Sequence, residues 1–75
     1  MRLFQITLGG KAPVVGHNAN ITAFRKEFGV LLVGVEKSDS DTFLRPNSTV
    51  TIEKGDTIWV VGNREKVDNL NIADD

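Results

Sequence analysis

The residue best suited to chemistry is the single histidine, His17, in the segment Val15-Gly16-His17-Asn18. The segment precedes a predicted helix, and the free N–H groups at a helix N terminus suit an anion. A ligand contact at Val15, Gly16, His17 and Asn18 is therefore one interpretation, while an ordinary polar loop is the simpler one. A catalytic triad or a histidine-based metal site needs further groups close by, which the spacing does not reveal.

The carboxylates also lack a catalytic pattern. Glu53 and Asp56 flank Gly55 and could imitate an acid–base pair. The simpler interpretation is a tight turn in which Gly55 takes a positive φ and Asp56 accepts hydrogen bonds from backbone N–H groups. Asp39 and Asp41 alternate with serines, but a calcium loop needs a longer series of ligands. Because no acid, base and nucleophile are assembled, we expect that the chain is not an enzyme.

The composition excludes several classes of function. The chain has no cysteine, which excludes disulfides and thiolate metal sites. Its nine Lys and Arg are balanced by ten Asp and Glu, so it lacks the strong positive field that nucleic-acid binding needs, and we expect no nucleic-acid partner. The longest apolar run, Val30 to Val35, is far shorter than the roughly 20 residues of a membrane span. We expect one soluble domain over residues 1–75.

The spacing of apolar residues predicts one main helix, from Asn18 to Phe28. One helical face carries three apolar residues, Ile21, Phe24 and Phe28. Asn18 or Asn20 can act as the N-cap. Gly29 follows where a left-handed residue is wanted, because glycine adopts positive φ without steric cost. One or two further helical turns are predicted at residues 64–70.

Strands are predicted on both sides of this helix, at residues 2–8, 30–35, 42–45 and 57–61. Residues 50–52 predict one more brief strand. The run at 30–35 is apolar on both faces, which indicates a strand covered on both sides. Pro46 stops the third strand and Gly62 lets the chain leave the last one. The order strand, helix, strand, strand, strand predicts an α+β domain in which one helix packs on a small, mostly antiparallel sheet.

A subunit contact is predicted on the sheet face that the helix does not cover. Trp59 is expected in either the core or an interface. If Ile58 and Val60 face the helix, Trp59 lies on the opposite face, where a large aromatic suits a subunit contact. The predicted dimer interface is Leu31, Val33 and Trp59. A chain of this size buries only roughly 60% of the surface of its unfolded form, so a partner surface would add stability.

Four short motifs resemble, in their order and spacing, the TrkA C-terminal (RCK_C) domain family. They are Val15-Gly16 before the helix, Phe28-Gly29-Val30, Arg45-Pro46-Asn47-Ser48-Thr49-Val50, and Lys54-Gly55-Asp56-Thr57-Ile58-Trp59-Val60-Val61-Gly62. The resemblance covers about Ile6 to Leu70. The chain departs from the family at Ala19 and Thr22, where apolar residues are usual, and we expect Ile21 to replace them in the core.

The resemblance implies a homodimerising α+β module on the cytoplasmic side of the plasma membrane. It implies attachment to a membrane-embedded potassium or other cation transporter or channel, of the same or a partner polypeptide, and the chain is then an excised segment of a larger protein. Small ligands, such as cyclic di-AMP or another nucleotide, are implied near the dimer seam, where they shift gating only by their differential affinity for two states. The alternatives are a purely structural dimerisation domain of an antiporter or an anion or dicarboxylate transporter, and an amino-acid sensor module.

Overall fold

The computed structural model describes residues 2–40 and 42–71 as a small α+β domain, the fold class that the sequence predicts. Its elements are β1 (Arg2–Thr7), α1 (Ile21–Phe28), β2 (Leu31–Glu36), β3 (Phe43–Leu44), β4 (Thr57–Gly62), α2 (Arg64–Asp68) and a 3₁₀ turn (Asn69–Asn71). The predicted order of four strands and a main helix is confirmed. The predicted turns at the C-terminal end form a second short helix. None of the helices described is long and apolar enough to cross a bilayer.

The four strands form one antiparallel sheet in the order β1-β4-β2-β3. The last strand of the chain thus lies in the middle of the sheet, between the first strand and the strand that follows α1. β1 and β4 pair in continuous register from Arg2 opposite Gly62 to Thr7 opposite Thr57. Between β4 and β2 the register shifts at Val33, where β2 has one extra residue.

The brief strand predicted at residues 50–52 does not join the sheet, so that prediction is wrong. Thr51 forms only an isolated bridge with Asn18. The two neighbouring residues bond to the loop before α1: Gly16 N–H donates to the Ile52 carbonyl (2.8 Å) and Ala19 N–H to the Val50 carbonyl (2.8 Å). The apolar alternation at these positions reflects the burial of Ile52 under the loop, and the contact clamps the segment that leads into α1.

α1 is capped at both ends by residues that the sequence singled out. The Asn20 side chain accepts a hydrogen bond from Ala23 N–H (2.9 Å), and Gly29 has a φ of 70° in the left-handed region. Phe24 is fully buried, but Ile21 is 42% exposed, so the expectation that Ile21 enters the core is wrong. Ala19, just before the helix, is fully buried instead and supplies the apolar contact there.

The hydrophobic core lies between the two helices and one face of the sheet, which we call the inner face. α1 packs on β2, and α2 packs on β4. Ile58 and Val60 of β4 point into this core, as do Leu32 and Val35 of β2. The opposite, outer face of the sheet is left open. The prediction that β2 is covered on both sides is therefore wrong for the single chain, because Leu31 and Val33 are 43% and 40% exposed.

Candidate ligand grooves and association surface

The predicted ligand segment forms a turn that ends two residues before α1 begins. Val15 and His17 are partly buried, while Gly16 and Asn18 are exposed. Gly16 has a φ of 94°, a conformation that favours glycine, and nothing lies within 4 Å of the position a Cβ would take. The turn therefore leaves open space on its outer side, and the ligand contact predicted for these residues remains a prediction.

The His17 side chain is directed toward α1. Its Nε2 lies 3.1 Å from Glu27 Oε2, and its ring packs edge-on against Phe28 with centroids 5.4 Å apart. Both partners of the His17–Glu27 pair are partly exposed. A ligand that contacts the imidazole must therefore displace Glu27 or use the other ring nitrogen.

Two grooves meet at the C-terminal end of α1. The first, of about 380 Å³, we call the strand-side groove, and it is lined by Arg25, Gly29, Val30, Leu31 and Val61. The second, of about 370 Å³, we call the helix-side groove, and it is lined by Arg25, Lys26, Glu27, Phe28, Gly29, Glu65, Lys66 and Asn69. The two grooves share Arg25 and Gly29. The helix-side groove includes both contacts of His17, so His17, Arg25 and Leu31 lie along one surface path.

Three cationic side chains lie near the C-terminal end of α1, namely Arg25, Lys26 and Lys66. Arg25 and Lys26 lie in the last turn of α1, where positive charge complements the partial negative charge of the helix C terminus. The stem of Lys66 crosses Gly29 so closely that a Cβ there would lie 2.7 Å from the Lys66 Cδ. The arginine remains exposed, and a guanidinium can bind a phosphate with two parallel hydrogen bonds.

The outer face of the sheet carries an apolar surface that we call the outer patch. It consists of four exposed side chains, with two partly buried ones between them: Leu3 (57% exposed), Phe43 (54%), Leu31 and Val33, with Trp59 and Val61. Leu3, Val61 and Leu31 lie side by side across β1, β4 and β2. Exposed apolar patches on small domains mark interaction surfaces. The patch includes Leu31, Val33 and Trp59, the residues predicted for a dimer interface.

A glycine shapes the aromatic end of the outer patch. Gly34 lies opposite Trp59, and the ring of Phe43 rests on Gly34 so closely that a Cβ there would overlap it. The Phe43 and Trp59 rings meet edge to face with centroids 6.2 Å apart. The indole Nε1 of Trp59 is buried and has no hydrogen-bond partner among the residues described. The aromatic pair thus joins β3 to β4 on the outer face, across Gly34 of β2.

The Gly55-Asp56 turn is held by a buried charge pair that the sequence did not reveal. Asp56 is fully buried, and its carboxylate accepts hydrogen bonds from Lys37 Nζ, Ser38 N–H (3.0 Å) and Glu53 N–H (2.9 Å). Burial alone would raise the pKa of Asp56, but these hydrogen bonds, that from Lys37 first, hold the pKa below its ordinary value. Burial likewise opposes the charge of Lys37, whose pKa is nonetheless raised by Asp56 and Glu53. The Lys37–Asp56 pair has a structural role, because it links the end of β2 to the start of β4.

Three other residues were predicted to shape turns, and the structure places each of them differently: Gly55, Pro46 and Gly62. Gly55 has a φ of 87° in the turn before β4. Pro46 follows β3 after one residue, in line with the predicted stop. Gly62 lies within β4 as its last residue and not in a turn. A Cβ at Gly62 would come within 3.0 Å of Val30, so the glycine provides room for the core.

Sequence reasoning missed Arg25, the two grooves and the Lys37–Asp56 pair. Arg25 looks like any polar residue of an amphipathic helix, and its position beside Leu31 and Val61 depends on how α1 packs on the sheet. Lys37 and Asp56 are separated by the loop and β3, so no local pattern connects them. Within the described ranges, no group of three or more His, Asp or Glu side chains could hold a metal ion.

The family model of the TrkA-C domain matches residues 3–71. No curated protein is significantly similar to the chain.

The solved structures that are similar to the chain include two that share its fold. One is the RCK_C domain dimer of Streptococcus agalactiae BusR in complex with c-di-AMP (TM-score 0.72, 20% identity, 92% of this chain and 90% of that one). The other is BusR from the same organism in complex with its busAB-promotor DNA (TM-score 0.74, 19% identity, 95% of this chain). The chain spans only 34% of the length of the protein in that second structure.

Proposed function

The chain belongs to the TrkA-C domain family, and from this membership we propose that it is a sensor module in which two copies bind a small anionic ligand beside their shared interface. The family is regulatory and non-catalytic, in agreement with the expectation from the sequence that the chain is not an enzyme. The ligand class that we propose is a nucleotide with phosphodiester groups, with cyclic di-AMP as the first member to test.

One observation carries this proposal: the strand-side groove and the outer patch share Leu31 and Val61. A second copy that covers the outer patch also closes one side of the groove. A ligand in the groove then contacts both copies, and it stabilises the dimer by the difference between its affinities for the paired and unpaired states. Ligand binding and association become one coupled equilibrium.

The chemistry of the groove suits such a ligand. Leu31, Val30 and Val61 offer apolar surface for a base, and Arg25 offers a guanidinium for a phosphate. Two copies related by a two-fold axis present two such arginines, and a cyclic dinucleotide carries two phosphates in a two-fold arrangement. The fold likeness to the BusR RCK_C domain, whose structure contains c-di-AMP, supports this choice of ligand for testing.

Val15, Gly16, His17 and Asn18 are proposed as a secondary part of the same site. His17 reaches the helix-side groove through Glu27 and Phe28, and that groove adjoins Arg25. A ligand long enough to extend from Arg25 along α1 meets the imidazole. We therefore expect a smaller contribution from His17 than from Arg25.

For the host protein we propose a potassium or other cation transporter or channel, with the module on the cytoplasmic side of the membrane. The support for this part is the family membership alone. The BusR structure with promotor DNA illustrates a different host for the same fold, a DNA-bound regulator. In either host the module acts the same way, by converting ligand occupancy into a change in how two copies pair.

Calorimetric titration of the chain with cyclic di-AMP tests the site. We expect one ligand per two chains, and a sedimentation coefficient that rises on addition of the ligand. Arg25→Ala should weaken binding at least tenfold because one bidentate contact per copy is lost. Arg45→Ala is the matched control, since Arg45 is also exposed but lines none of the grooves described, and it should bind as wild type does.

The association arm uses Leu31→Glu, which places a charge in the outer patch. We expect the outer-patch contact to be lost, so that the molar mass by equilibrium sedimentation falls by half and the ligand no longer binds, with unfolding close to that of wild type. Stable dimers that no nucleotide binds or stabilises would contradict the sensor proposal and favour a purely structural dimerisation domain. A molar mass of Leu31→Glu equal to that of wild type would remove the outer patch from the interface.

A further inference from the structure

The edge strand β1 has the features of an interior strand. It pairs with β4 on one side, and no other strand of the described chain pairs with its second side. Edge strands are usually protected by charges, prolines or bulges. β1 has one charge, Arg2 at its first position, and neither a proline nor a bulge among Leu3, Phe4, Gln5 and Ile6.

Side chains on both faces of β1 remain incompletely covered. On the outer face, Leu3 is 57% exposed. On the inner face, Phe4 and Ile6 are only partly buried, and they form the floor of a groove of about 430 Å³. We call this the edge groove, and its wall is α2, through Arg64, Val67 and Asp68. A strand added beside β1 places alternate side chains into this groove and against Leu3.

The backbone groups of Leu3 and Gln5 in β1 have the direction that such pairing needs. Leu8 N–H donates to the Asp56 carbonyl (2.9 Å), in step with the register of β1 and β4. Because the hydrogen-bonding direction alternates along a strand, Ile6 and Phe4 also bond toward β4. The N–H and C=O groups of Leu3 and Gln5 therefore point away from β4, toward the open side.

We propose that β1 pairs antiparallel with β1 of a second copy, with Gln5 opposite Gln5 of the second copy. In this register Leu3 lies opposite Thr7, and Phe4 lies opposite Ile6, so facing side chains share a face of the sheet. The two sheets become one sheet of eight strands. The two β4 strands are then roughly 14 Å apart, so the two α2 helices stand on either side of a valley floored by four apolar side chains.

The charges favour a second copy in this antiparallel orientation. Arg2 is the only charged residue of β1, and antiparallel pairing places the two Arg2 side chains at opposite ends of the ribbon, whereas parallel pairing places them together. The two-fold axis also makes the α2 helices of the two copies run antiparallel to each other. Arg64 of one helix then lies toward Asp68 of the other, in addition to the weak Arg64–Asp68 contact of 4.0 Å within each copy. The strand is thus self-complementary in both shape and charge.

This pairing is separable from the proposed ligand site, since its backbone hydrogen bonds lie at the edge of the sheet and Leu3 is the one residue of the outer patch that it also uses. Together with outer-patch pairing it gives each chain two different two-fold interfaces, so that more than two copies associate. Either interface can exist without the other, so their failures are distinguishable.

The test is the molar mass of the full chain by light scattering, for Gln5→Pro and Gln5→Ala in parallel. Proline removes the outward N–H group at the centre of the ribbon without removing a bond to β4, and proline is tolerated on edge strands. We expect Gln5→Pro to halve the mass of the assembly, and Gln5→Ala to leave it unchanged. An unchanged mass in Gln5→Pro, with the circular dichroism of wild type, overturns the proposal.

A second variant keeps the proposal testable if Gln5→Pro fails to fold. Gln5→Lys places two ammonium groups opposite each other on the axis, so the mass should fall by half at low salt and recover at 1 M NaCl. Ser48→Lys adds the same charge on an exposed loop and should leave the mass unchanged. Wild-type mass for Gln5→Lys at low salt contradicts the pairing. The Leu31→Glu variant, measured beside these, reports only on the outer patch.

Discussion

The two faces of the sheet have opposite characters, although they share the same strands. On the inner face, Ile58, Val60 and Val35 are fully excluded from solvent by the helices. On the outer face, Leu3, Leu31 and Phe43 are about half exposed. The difference indicates that the inner face supplies the stability of the fold, while the outer face is free to serve association.

The largest expected effect compares two phenylalanines. Phe24→Ala on the inner side removes a fully buried ring and should lower the free energy of unfolding by about 3–5 kcal/mol. Phe43→Ala, on the outer face, should lower it by less than about 1 kcal/mol, since that ring is 54% exposed. Urea titrations at two protein concentrations separate folding from association. Equal losses in the two variants would erase the distinction between the faces.

The next effect concerns the buried charge pair, which fastens the two central strands at one end. Asp56→Asn removes the buried carboxylate that pairs with the Lys37 ammonium, leaves the exposed Glu53 as its ion-pair partner, and should cost roughly 2 kcal/mol. Asp39→Asn, at an exposed position, is the control and should change the stability by less than about 0.5 kcal/mol. A small loss in Asp56→Asn would mean that the inner core alone holds β2 and β4 together.

The same pair predicts the pH dependence of stability. The pKa of Asp56 is lowered on folding, so its contribution is complete at neutral pH and is lost as the pH falls below about 4. The pKa of Lys37 is raised on folding, so its contribution persists at neutral pH and is lost as the pH rises beyond about 10.5. Melting temperatures of wild type and Asp56→Asn should therefore converge at acid pH. A constant difference down to pH 2 would contradict this assignment.

The smallest effect sharpens the description of the outer face. Gly34→Ala places a methyl group where the Phe43 ring rests, and the exposed ring can rotate away at a cost of about 1 kcal/mol. In the double variant with Phe43→Ala the penalty should vanish, because the obstructing ring is gone. A penalty that persists in the double variant would place the obstruction in the backbone and not in the aromatic pair.

Local patterns in the sequence were sufficient for the four strands of the sheet, for α1 and for its C-cap, while the N-cap was left open between Asn18 and Asn20. The period of two in β1, the helical spacing of Phe24 and Phe28, and the position of Gly29 each depend on neighbouring residues only. Ile21 and the 50–52 segment were misread because their burial is decided by contacts across the chain. Ile52 is buried beneath the loop before α1, and Ala19 fills the place that Ile21 was expected to fill.

The candidate site could be predicted less completely than the fold. The outer patch was anticipated through Leu31, Val33 and Trp59, because alternation along a strand determines which side chains share a face. Arg25 and the grooves could not be anticipated, since they arise from the angle at which α1 crosses the sheet. The same holds for the Lys37–Asp56 pair, which joins residues 19 positions apart in the sequence.

Trp59 gives the chain a built-in optical reporter. It is the only tryptophan, the chain has no tyrosine, and its ring lies in the outer patch against Phe43. The tryptophan fluorescence of the chain therefore arises from this one position. An indole ring whose N–H group lacks a hydrogen-bond partner emits at a shorter wavelength than an indole ring in water. Covering or uncovering that face by a second copy or a nucleotide should shift the emission maximum, so unlabelled protein can report its own assembly in a cuvette.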